Sequence, residues 1–229
     1  MNVEYNEIEF PPDPHREPTV LALDAGSPVV SAAIGIGSRV VAEKSLQLQE
    51  SSGALIDLVD STLRIAGFEI GDIRTLLGLR GPGSFTGVRV GLATLQGLAQ
   101  ALSARVGTFS TFQVLASLAP SDSLPRTACV DALRGEWLVQ TFSMSHAVSE
   151  PRLIRRRDLR ALAATHIIGY GVSEVCTPSS EPGSGLLIEP GSLAGRAIEM
   201  CDESSVIWGL DGLRKPIYQR PPAAVPLRD

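Results

Sequence analysis

A glycine-rich turn between an apolar strand and a long helix is the feature that most constrains the fold of this chain. The segment 75–104 reads TLLGLRGPGSFTGVRVGLATLQGLAQALSA. Its first five residues form an apolar run of strand length, and the Gly and Pro residues at 81–83 end that run. Ser84 and Thr86 can each accept a hydrogen bond from the first free N–H groups of a helix. We therefore expect a buried strand, a tight turn and a helix that begins near Thr86.

The predicted helix is rich in small residues. Val88, Leu92 and Leu95 recur at the spacing of one buried stripe. Gly91 and Gly97 interrupt the helix, and each costs about 1 kcal/mol relative to Ala in helix propensity. Close packing would offset this cost, so the pattern predicts a helix pressed against a neighbour. The neighbour is either the sheet of the same chain, another of its helices or a second subunit.

A glycine-rich turn before a helix can also bind phosphate, because the free N–H groups of the first turn attract anions. The lysine-containing nucleotide loop is missing here, since no Lys occurs between Lys44 and Lys215. The dinucleotide pattern G-x-G-x-x-G is not matched either. These observations favour a tight strand-to-helix connection over direct phosphate binding.

The turn and the start of the helix resemble the signature of the bacterial TsaB (YeaZ) family. The resemblance is carried by Gly81, Pro82, Gly83, Ser84, Phe85, Thr86, Gly87, Val88, Arg89, Val90 and Gly91. It implies an α/β chain with an actin-like ATPase (ASKHA, ribonuclease H-like) fold of two lobes, the second of them degenerate. It also implies a role in forming threonylcarbamoyladenosine next to the anticodon of tRNAs that read codons beginning with A. Its implied partners are a catalytic paralogue, TsaD, and an ATPase, TsaE.

The chain divides by composition into three parts. Residues 1–18 are acidic and contain four prolines, which indicates a flexible leader. Residues 19–119 are expected to form the first lobe with the glycine-rich motif, and residues 120–229 a smaller second lobe with a C-terminal tail. Within the second lobe, an arginine-rich run at 152–160 is predicted to be a solvated helix edge.

Two further segments resemble the family. The hairpin 131–136, DALRGE, is similar to the family's D-A-R-x-G-E pattern, although Leu133 stands where Arg is usual. The segment 215–220, KPIYQR, resembles the closing P-x-Y-x-R of the family.

The turn Asp24-Ala25-Gly26-Ser27 resembles the D-x-G-S/T turn that approaches nucleotide phosphate and magnesium in actin-like folds. Many strand ends have a similar composition, so a structural turn is the favoured interpretation. The resemblance implies a vestigial nucleotide site at Asp24 and Ser27. We expect no tightly bound cofactor, with ATP present only in the context of the complex.

Composition and charge exclude several other functions. The formal net charge of -5 gives the chain no attraction for a polyanion, so tRNA contact is expected to be indirect. No apolar run reaches the roughly 20 residues that cross a bilayer, so we expect no membrane contact and a cytoplasmic protein. The Cys and His residues are few and scattered, which predicts no metal site and no catalytic residues.

These observations favour a non-catalytic accessory subunit that docks on a TsaD-like paralogue and forms a homodimer when alone. We expect the helices at 52–66 and 86–104 to supply the partner surface. Its residues would be Leu55, Ile56, Val59, Leu63, Gly87, Val88, Gly91 and Leu95. Two alternatives remain: an ATP-dependent phosphotransferase of the same fold that uses Asp24, and a peptidase that acts on the partner.

Overall fold

The computed structural model describes residues 17–47, 54–162, 164–176, 184–202 and 204–218. Most of the predicted leader, the first two residues of the predicted helix at 52–66 and the last part of the C-terminal tail lie outside these ranges. The architecture is α/β, with two mixed sheets. Of the helices in the described part, none combines the length and apolarity of a membrane-spanning segment.

The first sheet contains six strands in the order β12-β5-β4-β1-β2-β3. β1 (Thr19–Asp24), β2 (Val29–Ile36) and β3 (Arg39–Gln47) form an antiparallel meander. β4 (Thr75–Leu79) runs parallel to β1, and β5 (Arg105–Phe109) runs parallel to β4. Every residue of β1 and β4 is buried, which agrees with their apolar sequences.

Helices cover both faces of this sheet. α1 (Leu55–Ala66) packs over β2 and β3, and α2 (Phe85–Leu102) packs over β4 and β1 on the same face. α1 ends at Gly67, whose φ of 74° is the left-handed conformation that commonly stops a helix. α3 (Thr111–Ser117) and α4 (Ala194–Glu199) cover the opposite face.

The second sheet has the order β11-β10-β6-β7-β8, with one more strand, β9, on β7. β6 (Arg126–Asp131) and β7 (Glu136–Ser143) form the predicted hairpin. The sheet is completed by β8 (His146–Ala147), β9 (Arg152–Arg155), β10 (His166–Ile168) and β11 (Leu187–Ile188). The arginines of the 152–160 run are exposed, as predicted, but the run begins as the strand β9 and only its second part is helical, in a 3₁₀ segment, Arg156–Leu162.

The structure corrects the division into lobes at its C-terminal end. β12 (Ile207–Trp208) pairs antiparallel with β5, and α4 packs on β1, β2 and β3. α5 (Asp211–Arg214) packs on β5 and α2. The described chain from Leu193 onward therefore belongs with the first lobe. Side chains from α3, such as Phe112 and Leu115, join the cores of the two sheets.

Candidate functional site

The glycine-rich turn is the place where three backbone segments meet. Ser84 N donates to Gly26 O at 2.7 Å, and Thr111 N donates to Gly81 O at 2.7 Å. A Cβ at Gly87 would overlap the carbonyl oxygen of Ala25. Ser84 Oγ accepts from Gly87 N at 3.3 Å and begins α2 as its N-cap. The motif glycines therefore permit close backbone packing, as the favoured interpretation of the sequence required.

The C-terminal segment 215–218 lies across this turn. Ile217 N donates to Arg80 O at 2.7 Å, and Arg80 Nη1 donates to Lys215 O at 3.2 Å. Gly81 has a φ of 94°, and a Cβ there would overlap Ile217 O, so only glycine fits. The segment that resembles the family's closing motif is thus tied to the residues of the glycine-rich motif.

An exposed cluster of Phe85, Arg89 and Tyr218 forms at the start of α2. The guanidinium carbon of Arg89 lies 3.7 Å from the centroid of the Phe85 ring and 5.4 Å from that of Tyr218. The two rings are 5.1 Å apart. Arg89 Nε also donates to the Tyr218 hydroxyl at 3.1 Å. Cation–π contacts and this hydrogen bond hold a positive charge at the edge of α2.

The predicted partner surface needs correction, because the chain itself covers six of its eight residues. Leu55, Val59 and Leu63 of α1 are buried against the first sheet, as are Val88, Gly91 and Leu95 of α2. Leu95 is 1% exposed and lies against Gly78 of β4. Gly87 is half-buried against Ala25. Only Ile56, at 58% exposure, presents a large apolar side chain to solvent.

The outward face of α2 is exposed, small and uncharged. Val90, Ala93, Gly97 and Ala101 lie on one stripe of this face, and Val90 is 46% exposed. Arg89 is the one charged residue between Phe85 and Leu102. A Cβ at Gly97 would meet no atom within 4 Å, so the fold of the described chain does not require glycine there.

The outward face of α1 lies beside this stripe on the same side of the sheet. That face carries Asp57, Asp60 and Arg64, of which Arg64 and Asp60 form an exposed ion pair one helical turn apart. The exposed side chains of Ile56 and Ile65 flank it on opposite sides, because nine residues turn a helix by half a revolution. We define the docking face by the four exposed residues of the α2 stripe, Val90, Ala93, Gly97 and Ala101.

The residues of the Asp24 turn do not fit a nucleotide phosphate. Asp24 is 0% exposed, and its Oδ1 accepts from Gly26 N at 3.0 Å and from Ser27 N at 3.2 Å. The two N–H groups that would cradle a phosphate therefore already bind a carboxylate of the same turn. Burial raises the pKa of Asp24 to about 6, and the hydrogen bonds from the turn offset this only in part.

Tyr170 of the second lobe lies close to the Asp24 turn. Its hydroxyl donates to Gly191 O at 2.5 Å. Burial, together with the nearby negative charge of Asp24, raises the pKa of Tyr170 well above its usual range. Asp24 Oδ1 is therefore bound within its own turn, whereas Oδ2 has no hydrogen-bond partner among the described residues.

His166 and Asp122 are the described residues that most resemble a catalytic dyad, and sequence reasoning missed them because 44 positions separate them. His166 Nε2 lies 2.9 Å from both carboxylate oxygens of Asp122. Its Nδ1 accepts from Leu186 N at 3.0 Å, so no ring nitrogen remains to activate a nucleophile. The pair instead fastens the 118–125 linker to β10.

The described cysteines do not offer a nucleophile either. Cys129, Cys176 and Cys201 are buried, and none forms a disulfide. Burial raises the pKa of all three thiols, that of Cys201 to about 11, so none is poised as a thiolate. Among the described residues, no group of three or more His, Cys, Asp or Glu side chains could hold a metal ion.

Comparison with known proteins shows which family this chain resembles. The family model "TsaD: tRNA N6-adenosine threonylcarbamoyltransferase" matches residues 36–148. The chain is 27% identical to the tRNA threonylcarbamoyladenosine biosynthesis protein TsaB of Escherichia coli (strain K12) over 192 residues, which is 79% of this chain and 82% of that protein. It is 35% identical to TsaB of Haemophilus influenzae over 81 residues, 35% of this chain and 34% of that protein. YeaZ from Pseudomonas aeruginosa superposes with a TM-score of 0.65 at 21% identity, covering 88% of this chain and 99% of that chain.

The chain is thus similar to TsaB (YeaZ) proteins along most of its length. The family resemblance and the actin-like (ASKHA-type) fold expected from the sequence are both confirmed. The TsaD model match spans α1, the glycine-rich turn, α2 and the hairpin of β6 and β7. The chain is therefore similar to the TsaD model over the part of the fold that carries the docking face.

Proposed function

We propose that this TsaB-like chain is a non-catalytic subunit in the biosynthesis of threonylcarbamoyladenosine in tRNA. In this proposal it docks on a TsaD-like paralogue through the docking face of α2, with α1 beside it. The relatives named for this pathway support the process, and the geometry of α2 supports docking as the means.

The observation that carries the proposal is Gly97. A glycine inside a helix costs about 1 kcal/mol relative to Ala, and close packing normally offsets that cost. Gly91 packs against Ala25 of the same chain, but Gly97 faces open space in the described structure. A backbone from another molecule at that point would explain why no side chain is present.

The rest of the stripe supports the same conclusion. Val90, Ala93 and Ala101 offer an uncharged surface on which a second helix could approach closely, and depletion of charge is typical of interface centres. The TsaD model match covers α1 and α2, so a TsaD-like partner would contain related helices. A pseudo-symmetric pair of similar faces is therefore the arrangement we propose.

The other partners follow from this arrangement. Without the paralogue, a second copy of this chain would occupy the same face and give a homodimer. A TsaE-like ATPase would join the assembled complex. tRNA would bind mainly through the partner, since the formal net charge of this chain is -5.

Independence from nucleotide is part of the proposal, because the N–H groups of the Asp24 turn already bind Asp24. Calorimetry of the isolated protein with ATP and Mg²⁺ should give no binding heat. A saturable heat that disappears in Asp24→Ala would instead support the phosphotransferase alternative.

Docking is tested with Gly97→Leu and Ala93→Glu, which change exposed positions that the monomer does not need. We expect each to weaken binding to the TsaD-like paralogue at least about tenfold, because obstruction near an interface centre costs more than about 1.4 kcal/mol. Val148→Glu is the matched control, since Val148 is an exposed apolar residue outside α1 and α2. Size-exclusion chromatography with light scattering measures whether the complex with the paralogue forms, and interferometry measures its Kd. Parental affinity in both folded variants would overturn the proposal.

A further inference from the structure

A pocket of about 140 Å³ lies between the two lobes, away from the docking face. α3, the linker after it, β6, β7 and α4 contribute to its walls. Arg126, which lines the pocket, begins β6, and the hairpin turn that starts at Asp131 lies at the other end of this strand. A six-residue strand is about 17 Å long, so the pocket is well separated from that hairpin turn.

Arg126 gives this pocket its character. Its side chain is buried, with 7% exposure for the residue, and it lines the cavity. Nη1 donates to Met144 O at 3.0 Å and Nη2 donates to Pro120 O at 2.9 Å. Nε has no hydrogen-bond partner among the described residues. The two carbonyl groups satisfy donors, but they do not neutralise the charge.

The charge of Arg126 is not balanced by an adjacent carboxylate. Within the described ranges, no Asp or Glu oxygen lies within 4.0 Å of its guanidinium. Asp122 is the acidic residue whose charge it influences, and that carboxylate is bound to His166. A buried cation without an anion in contact is unfavourable, so an anion in the pocket would be stabilised.

The remaining walls suit a small polar ligand. Arg196 contributes a second guanidinium, held by Ser117 and by Glu199 at 2.7 Å. Exposed Ser121 and Ser145 lie at the rim, and Phe142 and Met200 are among its buried apolar residues. The volume equals that of about five water molecules and is below the roughly 300 Å³ of sites for larger organic ligands.

We propose that this pocket binds a small oxyanion, either phosphate or a small carboxylate, with Arg126 as the principal cation. Because both lobes contribute to its walls, the bound anion would fasten the lobes together. None of the residues that line this pocket belongs to the docking face or to the Asp24 turn.

Thermal unfolding with inorganic phosphate, at an ionic strength matched with chloride, tests this site. We expect a saturable rise in Tm of ~3–6 °C at ten times the Kd. Acetate in place of phosphate distinguishes a carboxylate site from a phosphate site. Phosphate also stabilises proteins by exclusion from their surface, but that effect is linear and does not saturate.

Three variants make the test decisive. Ser145→Glu places a carboxylate at the exposed rim, so it should remove the saturable response while the protein stays folded. Arg126→Met should do the same, and Arg152→Gln, an exposed arginine on β9, should retain it. A purely linear rise in the parent protein, or a saturable response that persists in folded Ser145→Glu and Arg126→Met, would overturn the proposal.

Discussion

Arg89 Nε donates a hydrogen bond of 3.1 Å to the hydroxyl of Tyr218, and this bond joins the first turn of α2 to the C-terminal segment. The Phe85 ring lies 3.7 Å from the guanidinium carbon. The cation is therefore held in place at the border of the docking face before any partner arrives.

Removing that constraint should weaken docking without unfolding the chain. Tyr218→Phe keeps the ring but loses the hydrogen bond to Arg89, so the side chain of Arg89 must be ordered during binding. Ordering one long side chain costs about 0.5–1.5 kcal/mol, so we expect roughly a 2–10-fold higher Kd for the TsaD-like paralogue. Interferometry measures this Kd for the variant and the parent. An unchanged Kd would show that Tyr218 has no such role.

Two glycines of α2 should respond to the same substitution in opposite directions. In Gly97→Ala the added methyl group would contact no other atom, and alanine has the higher helix propensity. This substitution should therefore raise the free energy of unfolding by ~0.5–1 kcal/mol. Gly87→Ala would overlap the carbonyl oxygen of Ala25 and should lower it by ~1–3 kcal/mol. Urea unfolding of the two monomeric variants provides the comparison. Equal effects at the two positions would contradict this account of α2.

Substitutions on the buried and exposed faces of α2 should differ in their effect on the stability of the chain. Leu95→Ala removes a buried side chain and should cost ~2–5 kcal/mol of unfolding free energy. Val90→Ala alters an exposed position, so its free energy of unfolding should stay within ~0.5 kcal/mol of the parent value. Urea midpoints of the isolated chain measure both. A large loss of stability in Val90→Ala would show that the monomer itself covers this face.

The buried carboxyl of Asp24 should make stability depend on pH. Because its pKa is about 6 when folded and 3.8 ordinarily, the folded state binds the proton more tightly. Stability from this group is therefore present below about pH 4, falls as the pH rises to about 6 and stays low above that. At pH 7.5 the ionised form costs on the order of 3 kcal/mol.

Asp24→Asn isolates this effect, since the amide oxygen can still accept from Gly26 and Ser27 but cannot ionise. We expect the variant to exceed the parent in unfolding free energy at pH 7.5 by up to about 3 kcal/mol, and to lose this advantage at pH 4. Chemical unfolding at the two pH values measures the difference. The same difference at both values would mean that Asp24 does not ionise across this range.

Local patterns predicted the elements of the first lobe because their signals lie within a few residues. The apolar run at 75–79 forms a buried strand and Ser84 caps the helix that follows, as the sequence predicts. β12 was missed because a strand of two residues has no periodicity to recognise. Its place is set by pairing with β5, about a hundred positions earlier.

The partner surface was the main error, and its cause is physical. Periodicity identifies which face of a helix is buried, but it does not say what buries it. Val88 and Leu95 carry the strongest stripe, and the sheet of the same chain covers them. The informative signal was on the opposite side, where Gly97 lacks a contact that its sequence neighbours Gly87 and Gly91 possess.

The return of the C-terminal segment to the first sheet has a consequence for biosynthesis. β5 has its antiparallel neighbour only when residues 207–208 are available, and Gly81 meets Ile217 only after that. A growing chain emerges from the ribosome N-terminus first, at about 5–20 residues per second. The amino-terminal lobe therefore keeps one edge of its sheet unpaired until residues 207–208, about a hundred positions after β5, have been made.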